Sequence, residues 1–285
     1  MGQCNASESK RTGRNWEKRS DRNPALLQLV TIDLYLMTVE TDRDRLTVEE
    51  LASRFRAEMI PLSKTFSYFC VMPVAEEDLK QYLHEPISAL PPAACECLPK
   101  IGIFLVPFLE KQNGKGGDSV TFEKPSDNRQ IVASRTFADN ASTLVFAIKD
   151  EEVSDYHYCF YNAVAGLLAQ SCPTDAQDSF FRVLREELNS EVHGEVDERS
   201  WRMKQALLRR QTNVRRQTKL FREYALQSLE DTLTLYLHGI CCDIDVETGP
   251  RQMPSRYLRK RLEALSALFP PPEGYAVFPE QSSKR

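Results

Sequence analysis

A change of hydrophobic period near residue 150 limits what this chain can fold into more than any other feature. Before it, "KIGIFLVPFLE" (100–110) and "STLVFAIKD" (142–150) are short apolar runs rich in Ile, Val and Phe. Between them, "DSVTFEKP" (118–125) alternates Val120 and Phe122 with polar neighbours. Runs of this length and composition read as strands, and the glycine-rich "NGKGG" (113–117) as a hairpin turn. After residue 150 the period becomes helical. "VSDYHYCFYNAVAGLLAQ" (153–170) is apolar or aromatic nearly all round, the pattern of a central buried helix against a sheet. "DAQDSFFRVLREELNSEVHG" (175–194) puts Phe181, Leu184, Leu188 and Val192 on one stripe, and further helices are predicted in 197–211, 214–240 and from Ser255. Strands first and helices after give an α+β fold, with a small sheet of about three or more strands in the N-terminal half and a helical C-terminal half.

Two helices precede the strands. Thr47 can cap the free amides of 47–62, with Glu50 three residues on completing a capping box and Pro61 ending the helix. A second helix is predicted from Glu76 and is expected to stop before Pro86. The predicted organisation has a disordered or non-native extension over 1–36, with Met37 as an alternative start, and a mixed helix and strand region over 37–150. A helical region packed on that sheet as one domain follows over 151–270, with a polar tail over 271–285.

With 285 residues, 41% of them hydrophobic, the chain can bury a large core, and a net charge of −4 excludes a general polycation. The apolar stretch Ala25–Met37 is interrupted by Gln28 and Asp33 and is shorter than the roughly 20 residues a bilayer span needs, so no membrane association is predicted and the expected location is cytoplasmic. The eight dispersed cysteines are expected to be reduced. Cys95 and Cys97 with the vicinal Cys241 and Cys242 do not form a pair of zinc knuckles, and the vicinal pair reads as small buried residues.

Two stretches could carry function. "RRQT" occurs at 209–212 and again at 215–218, in a segment without carboxylates from Arg199 to Arg222. Arg202, Arg209 and Arg216 recur every seven residues and would share a helical face, with Arg210, Arg215 and Lys219 beside them. Guanidinium forks bind phosphates bidentately, which suggests a nucleic-acid or polyanion surface or an acidic protein partner. The structural alternative, preferred at this point, is an acidic helix from "REELNSEVHGEVDE" folding back on the basic one through ion pairs.

The second stretch rests on histidine. His193-Gly194 and His238-Gly239 each stand at a predicted helix end and are followed by carboxylates, Glu195 and Asp197 in one case and Asp243 and Asp245 in the other. The plain alternative makes both glycines helix C-caps. Gln227, Asp231, Thr234 and His238 lie at helical spacing on one face of an apolar helix, and a polar stripe there needs partners. Imidazole with carboxylate suits a divalent metal such as zinc, or else iron or manganese. The resulting expectation is a metal-dependent, hydrolase-like site with His157, His193, His238 and Asp243 as ligands and Glu195 and Asp231 as catalytic carboxylates. Its alternatives are polyanion binding through 199–222 and a scaffold without catalysis. Whether the chain is an enzyme stays open at this point. Phosphate loops, dinucleotide fingerprints and nucleophile elbows are absent from the sequence.

Overall fold

Thr47 opens the first helix by the capping box its sequence promises: the Glu50 amide donates to Thr47 Oγ1 (3.2 Å) and the Thr47 amide to the Glu50 carboxylate (2.9 Å). The structure is a computed structural model, and it describes residues 46–112, 117–138, 141–209, 216–242 and 252–278. The expected extension over 1–36 and the alternative start at Met37 lie outside the described residues. Helix α1 (Val48–Phe55) is shorter than predicted: a 3-10 turn over Arg56–Glu58 takes up its end before strand β1 (Ile60–Pro61).

After β2 (Phe66–Cys70) comes α2 (Glu76–Leu79), which passes through a π-helical turn (Lys80–His84) into α3 (Glu85–Ser88). The helix therefore does not stop before Pro86 but carries it. In a π-turn the amide of residue i bonds five residues back, as Glu85 does to the Lys80 carbonyl. Pro86 next in line has no N–H, so the register change absorbs the proline and leaves the Gln81 carbonyl without its helical donor. Helix α4 (Pro92–Cys97) then leads into β3 (Lys100–Val106).

The predicted single strand over 100–110 is two. Pro107 interrupts it, because a residue without an N–H cannot continue a central ladder. Strand β4 (Phe108–Glu110) pairs with β5 (Ser119–Thr121), with Leu109 opposite Val120, and with β6 (Gln130–Ile131) in a separate three-stranded sheet. The hairpin thus belongs to β4 rather than β3. Strands β7 (Ala133–Ala138) and β8 (Ala141–Ala147) complete a five-stranded sheet of order β1-β2-β3-β8-β7. Its centre is parallel, β2 to β3 to β8, and both edges are antiparallel. Burial on both faces follows the period of two. Ile101, Ile103, Leu105, Leu144 and Phe146 join the helical core, whereas Phe104, Val106, Val145 and Ala147 pack against α1 and the small sheet.

The chain then turns helical, which makes the fold α+β: α5 (Val153–Ser171), α6 (Thr174–Asn189), α7 (Glu198–Leu208), α8 (Lys219–Cys241) and α9 (Ser255–Leu268). Helix α5 lies on the sheet, with Tyr156 and Phe160 against Phe146, and α8 packs along it. No helix of the described residues is long and apolar enough to cross a membrane.

Candidate metal centre

Two local features of the sequence decide how His157 is held. It stands in the second turn of the buried helix α5, and its Nε2 lies 2.9 Å from the Gln81 carbonyl oxygen that Pro86 leaves without a helical donor. A carbonyl only accepts, so Nε2 carries the proton and Nδ1 presents a lone pair. That lone pair meets Cys242 Sγ at 3.3 Å. Cys241 is the last residue of α8 and Cys242 its C-cap, with extended backbone (φ −127°, ψ 144°). The change of conformation between them lets two successive thiols reach one point. His157, Cys241 and Cys242 offer ligand atoms all within 4.8 Å of one another, the one such group of three His, Cys, Asp or Glu side chains among the described residues.

The chemistry of this donor set fits a borderline or soft divalent ion. Two thiolates and one imidazole are zinc ligands, and among the described residues they supply three of the four positions that zinc ordinarily fills. The carbonyl holding Nε2–H is the outer-shell contact that fixes tautomer and ring orientation. Burial, followed by the neighbouring Cys241, pushes the Cys242 thiol up to about 12, so without metal it keeps its proton and can donate to Nδ1. Metal uptake must displace that proton and is therefore pH-dependent.

Of the residues expected as ligands only His157 stands in this group, beside the cysteines read from sequence as small buried residues. His238 is one ring layer away, its ring 5.7 Å from that of Tyr161, which in turn sits 6.4 Å from His157. Burial and then His157 lower the pKa of His238. His193 lies elsewhere, beside Glu191 and Lys204 on another cavity, and Asp243 falls outside the described residues. The glycines are not C-caps either. Gly239 is inside α8, which runs on to Cys241, and Gly194 is five residues past the end of α6. At Gly194 φ is +81° and an added Cβ would stand 2.3 Å from the Gln252 carbonyl oxygen, so glycine is required by a close backbone crossing.

Glu195 has a structural environment. Arg261 donates to it through Nη1 (2.8 Å) and Nη2 (3.0 Å), and through Nε (3.0 Å) and Nη2 (2.6 Å) to Glu187. Lys204 Nζ lies 3.2 Å from Glu195 and donates to the Gly194 carbonyl, and Tyr224 and Ser228 donate to Glu195 as well. Burial alone would raise the Glu195 carboxyl, but Arg261 and then Lys204 outweigh it and hold it at about 2. A carboxylate with both oxygens so engaged is a poor proton acceptor, and Glu195 is not part of the metal group.

The stripe on α8 finds its partners across a cavity of about 460 Å3 between α5, α8 and the start of α7. Gln227, Asp231, Thr234 and His238 all line it. Gln227 Nε2 donates to Asp231 Oδ1 (2.8 Å), Oδ2 has no hydrogen-bond partner, and burial raises the carboxyl to about 6.

The arginines do not share one helical face. Arg202 is on α7, paired with Glu198 (2.8 Å), Arg209 is the C-cap of α7, and Arg216 is in a turn ahead of α8, so the seven-residue spacing does not run along one helix. Lys219 lies 3.8 Å from Glu223, and Arg210 and Arg215 are outside the described residues. The acidic stretch does turn back on a basic helix, but mainly on α9: Glu187 binds Arg261 and Glu186 binds Lys260 (2.5 Å). The two cysteines were the legible signal missed: vicinal thiols at a helix end, where the chain changes direction, can converge on one ion.

Comparison with known proteins supplies no family: no protein-family model, no curated protein and no solved structure matches the chain.

Proposed function

We propose that this protein is a metalloprotein whose ion, zinc first, is held by His157 Nδ1 and the thiolates of Cys241 and Cys242, and that it uses the ion hydrolytically. The observation that carries this is the convergence of three ligand atoms within 4.8 Å, with the imidazole oriented by a carbonyl on its far nitrogen. A site with three protein ligands has room for water, and a bound zinc lowers the pKa of that water to about 7, making hydroxide available at neutral pH. Asp231 and His238, the other polar residues expected near the reaction, line the neighbouring cavity, His238 one ring layer away from His157, and are not ligands in this reading.

Zinc and cobalt titrations of the full-length reduced protein, alongside a Cys241→Ser, Cys242→Ser double variant checked for folding, test it. One ion per chain, thiolate-to-cobalt charge transfer in the wild type and loss of both in the folded variant are expected. A wild type that binds neither ion overturns the metal site. A loaded protein without hydrolytic activity on ester, amide and phosphoester panels overturns the hydrolytic use alone.

A further inference from the structure

The cavity lined by α8's polar stripe presents several acceptors without a partner. Thr234 Oγ1 donates to the Glu230 carbonyl (2.9 Å), so Asn162 Nδ2, at 3.4 Å, must be the donor to that hydroxyl. This fixes the amide and leaves Asn162 Oδ1 as an acceptor. Gln227 likewise turns its Nε2 to Asp231 and keeps Oε1 as an acceptor. Asp231 stands on the cavity wall, only 7% exposed, with Oδ2 unpartnered and enclosed behind the wall's surface. The nearby Ser200 hydroxyl, which also acts on this carboxyl, is donated to the Asp197 carbonyl at 3.0 Å. The acceptors left free are Asn162 Oδ1, Gln227 Oε1 and Asp231 Oδ2, while each amide keeps a second N–H as well.

Charge points the same way. Among the described lining residues Asp197, Glu230 and Asp231 stand against the single cation Arg199, with Arg135 beside Glu230 on the adjoining cavity. A carboxylate this buried normally has its charge paired or fully hydrogen-bonded, and Asp231 has no cation partner: only Gln227 and the shared Ser200 hydroxyl act on it. A bare metal ion is a poor occupant, because these carboxylates do not bring three ligand atoms within 4.8 Å of one another. The volume of about 460 Å3 falls in the range of small-molecule sites. Tyr158, 49% exposed and edge-on to His238 at 6.1 Å, adds an aromatic wall on which a cation can rest.

We propose that this cavity is a binding site for a small organic cation carrying a protonated primary amine or a guanidinium, with Asp231 as its anionic anchor and the Asn162 and Gln227 carbonyl oxygens as further acceptors. The site is separate from the His157–Cys241–Cys242 group and does not depend on metal there.

The test is a titration of full-length protein, stripped of metal by chelator, with cadaverine, agmatine, L-lysine and L-arginine at up to millimolar concentration. Hexanoate and pentanol serve as controls. Binding is followed by the ring signals of Tyr158 and His238. At least one of the cationic compounds is expected to bind and shift both rings, the controls to do neither, and Asp231→Asn to weaken binding at least tenfold. That variant is isosteric and keeps an acceptor for Gln227; its folding is checked by melting, and Asn162→Asp, which adds a carboxylate, is expected to tighten binding. Silence from all four amines, equal binding by the neutral control, or affinity unchanged in both variants overturns the proposal. Because the protein is stripped, none of these outcomes bears on the metal reading.

Discussion

Arg261 and Glu195, 66 residues apart in sequence and both fully buried, are joined by two hydrogen bonds, Nη1 to Oε2 at 2.8 Å and Nη2 to Oε1 at 3.0 Å. The same guanidinium holds Glu187 on α6, so one side chain from α9 fastens α6 and the loop before α7. Two carboxylates and the cations Arg261 and Lys204 close the cluster at zero net charge. Arg261→Met leaves Glu187 and Glu195 buried without their main partner, and loss of one member of such a pair costs about 3–5 kcal/mol. Urea melts should show a loss of that size; a change below about 1 kcal/mol would contradict a buried role.

Acid sensitivity follows from the same cluster. Burial pushes Glu195 up, but Arg261 and Lys204 win and hold it at about 2, below its ordinary 4.5. A carboxyl whose folded pKa is depressed contributes stability that is present above its unfolded pKa and is lost as pH falls towards the folded one. Wild-type stability should therefore fall as pH drops from about 4.5 to about 2, and Glu195→Gln should flatten that part of the profile, read from melting temperature against pH.

Asp231 works in the opposite sense. Burial raises it from 3.8 to about 6, so the folded state binds the proton more tightly, and its ionisation costs stability as pH rises through that window. Asp231→Asn, which keeps an acceptor for Gln227, should be more stable than wild type at pH 7 by on the order of 2 kcal/mol and nearly equal to it below pH 4. A gain in stability beside a loss of ligand binding is the pattern of a functional residue held at a structural cost. Paired melts at the two pH values decide it.

Pro86 should control His157 from a distance. Pro86→Ala supplies an N–H that can compete for the Gln81 carbonyl, and the imidazole would lose the contact that holds the proton on Nε2. Removing such an outer-shell partner weakens metal binding about 10–100-fold. Imidazole nitrogen shifts of the metal-free protein report the tautomer, and zinc competition reports the affinity; an unchanged tautomer would remove the role given to Pro86.

Gly194→Ala should destabilise by about 2 kcal/mol or more, since φ there is +81° and the new methyl meets the Gln252 carbonyl. The parallel bridge between Glu195 and Gln252 should be disturbed first, visible as faster amide exchange around 192–196.

Much of this architecture is local in origin and so was legible from residues alone. Thr47 and Glu50 cap α1 through three-residue contacts, the alternation around Val120 marks a strand, and the all-round apolar pattern of 153–170 marks the buried helix. The polar stripe of Gln227, Asp231, Thr234 and His238 was visible too, because four positions at helical spacing must share a face whatever covers it.

What that face meets, and which ligands gather, depended on contacts between residues far apart in the chain. His157 and Cys242 are 85 residues apart, His157 and Gln81 are 76, and no periodicity encodes such distances. The same holds for charge: Glu195 looked like a catalytic carboxylate beside a histidine until Arg261 arrived from α9 to occupy both its oxygens. Sequence alone determined the type of the long periodic segments and which of their faces are polar, since backbone geometry and burial set those over a few residues, but not the short strands β1, β2, β6 and β7. Only the tertiary structure decided which polar groups neutralise one another and which keep capacity for a ligand, because that depends on the packing of α5, α8 and α9 in space.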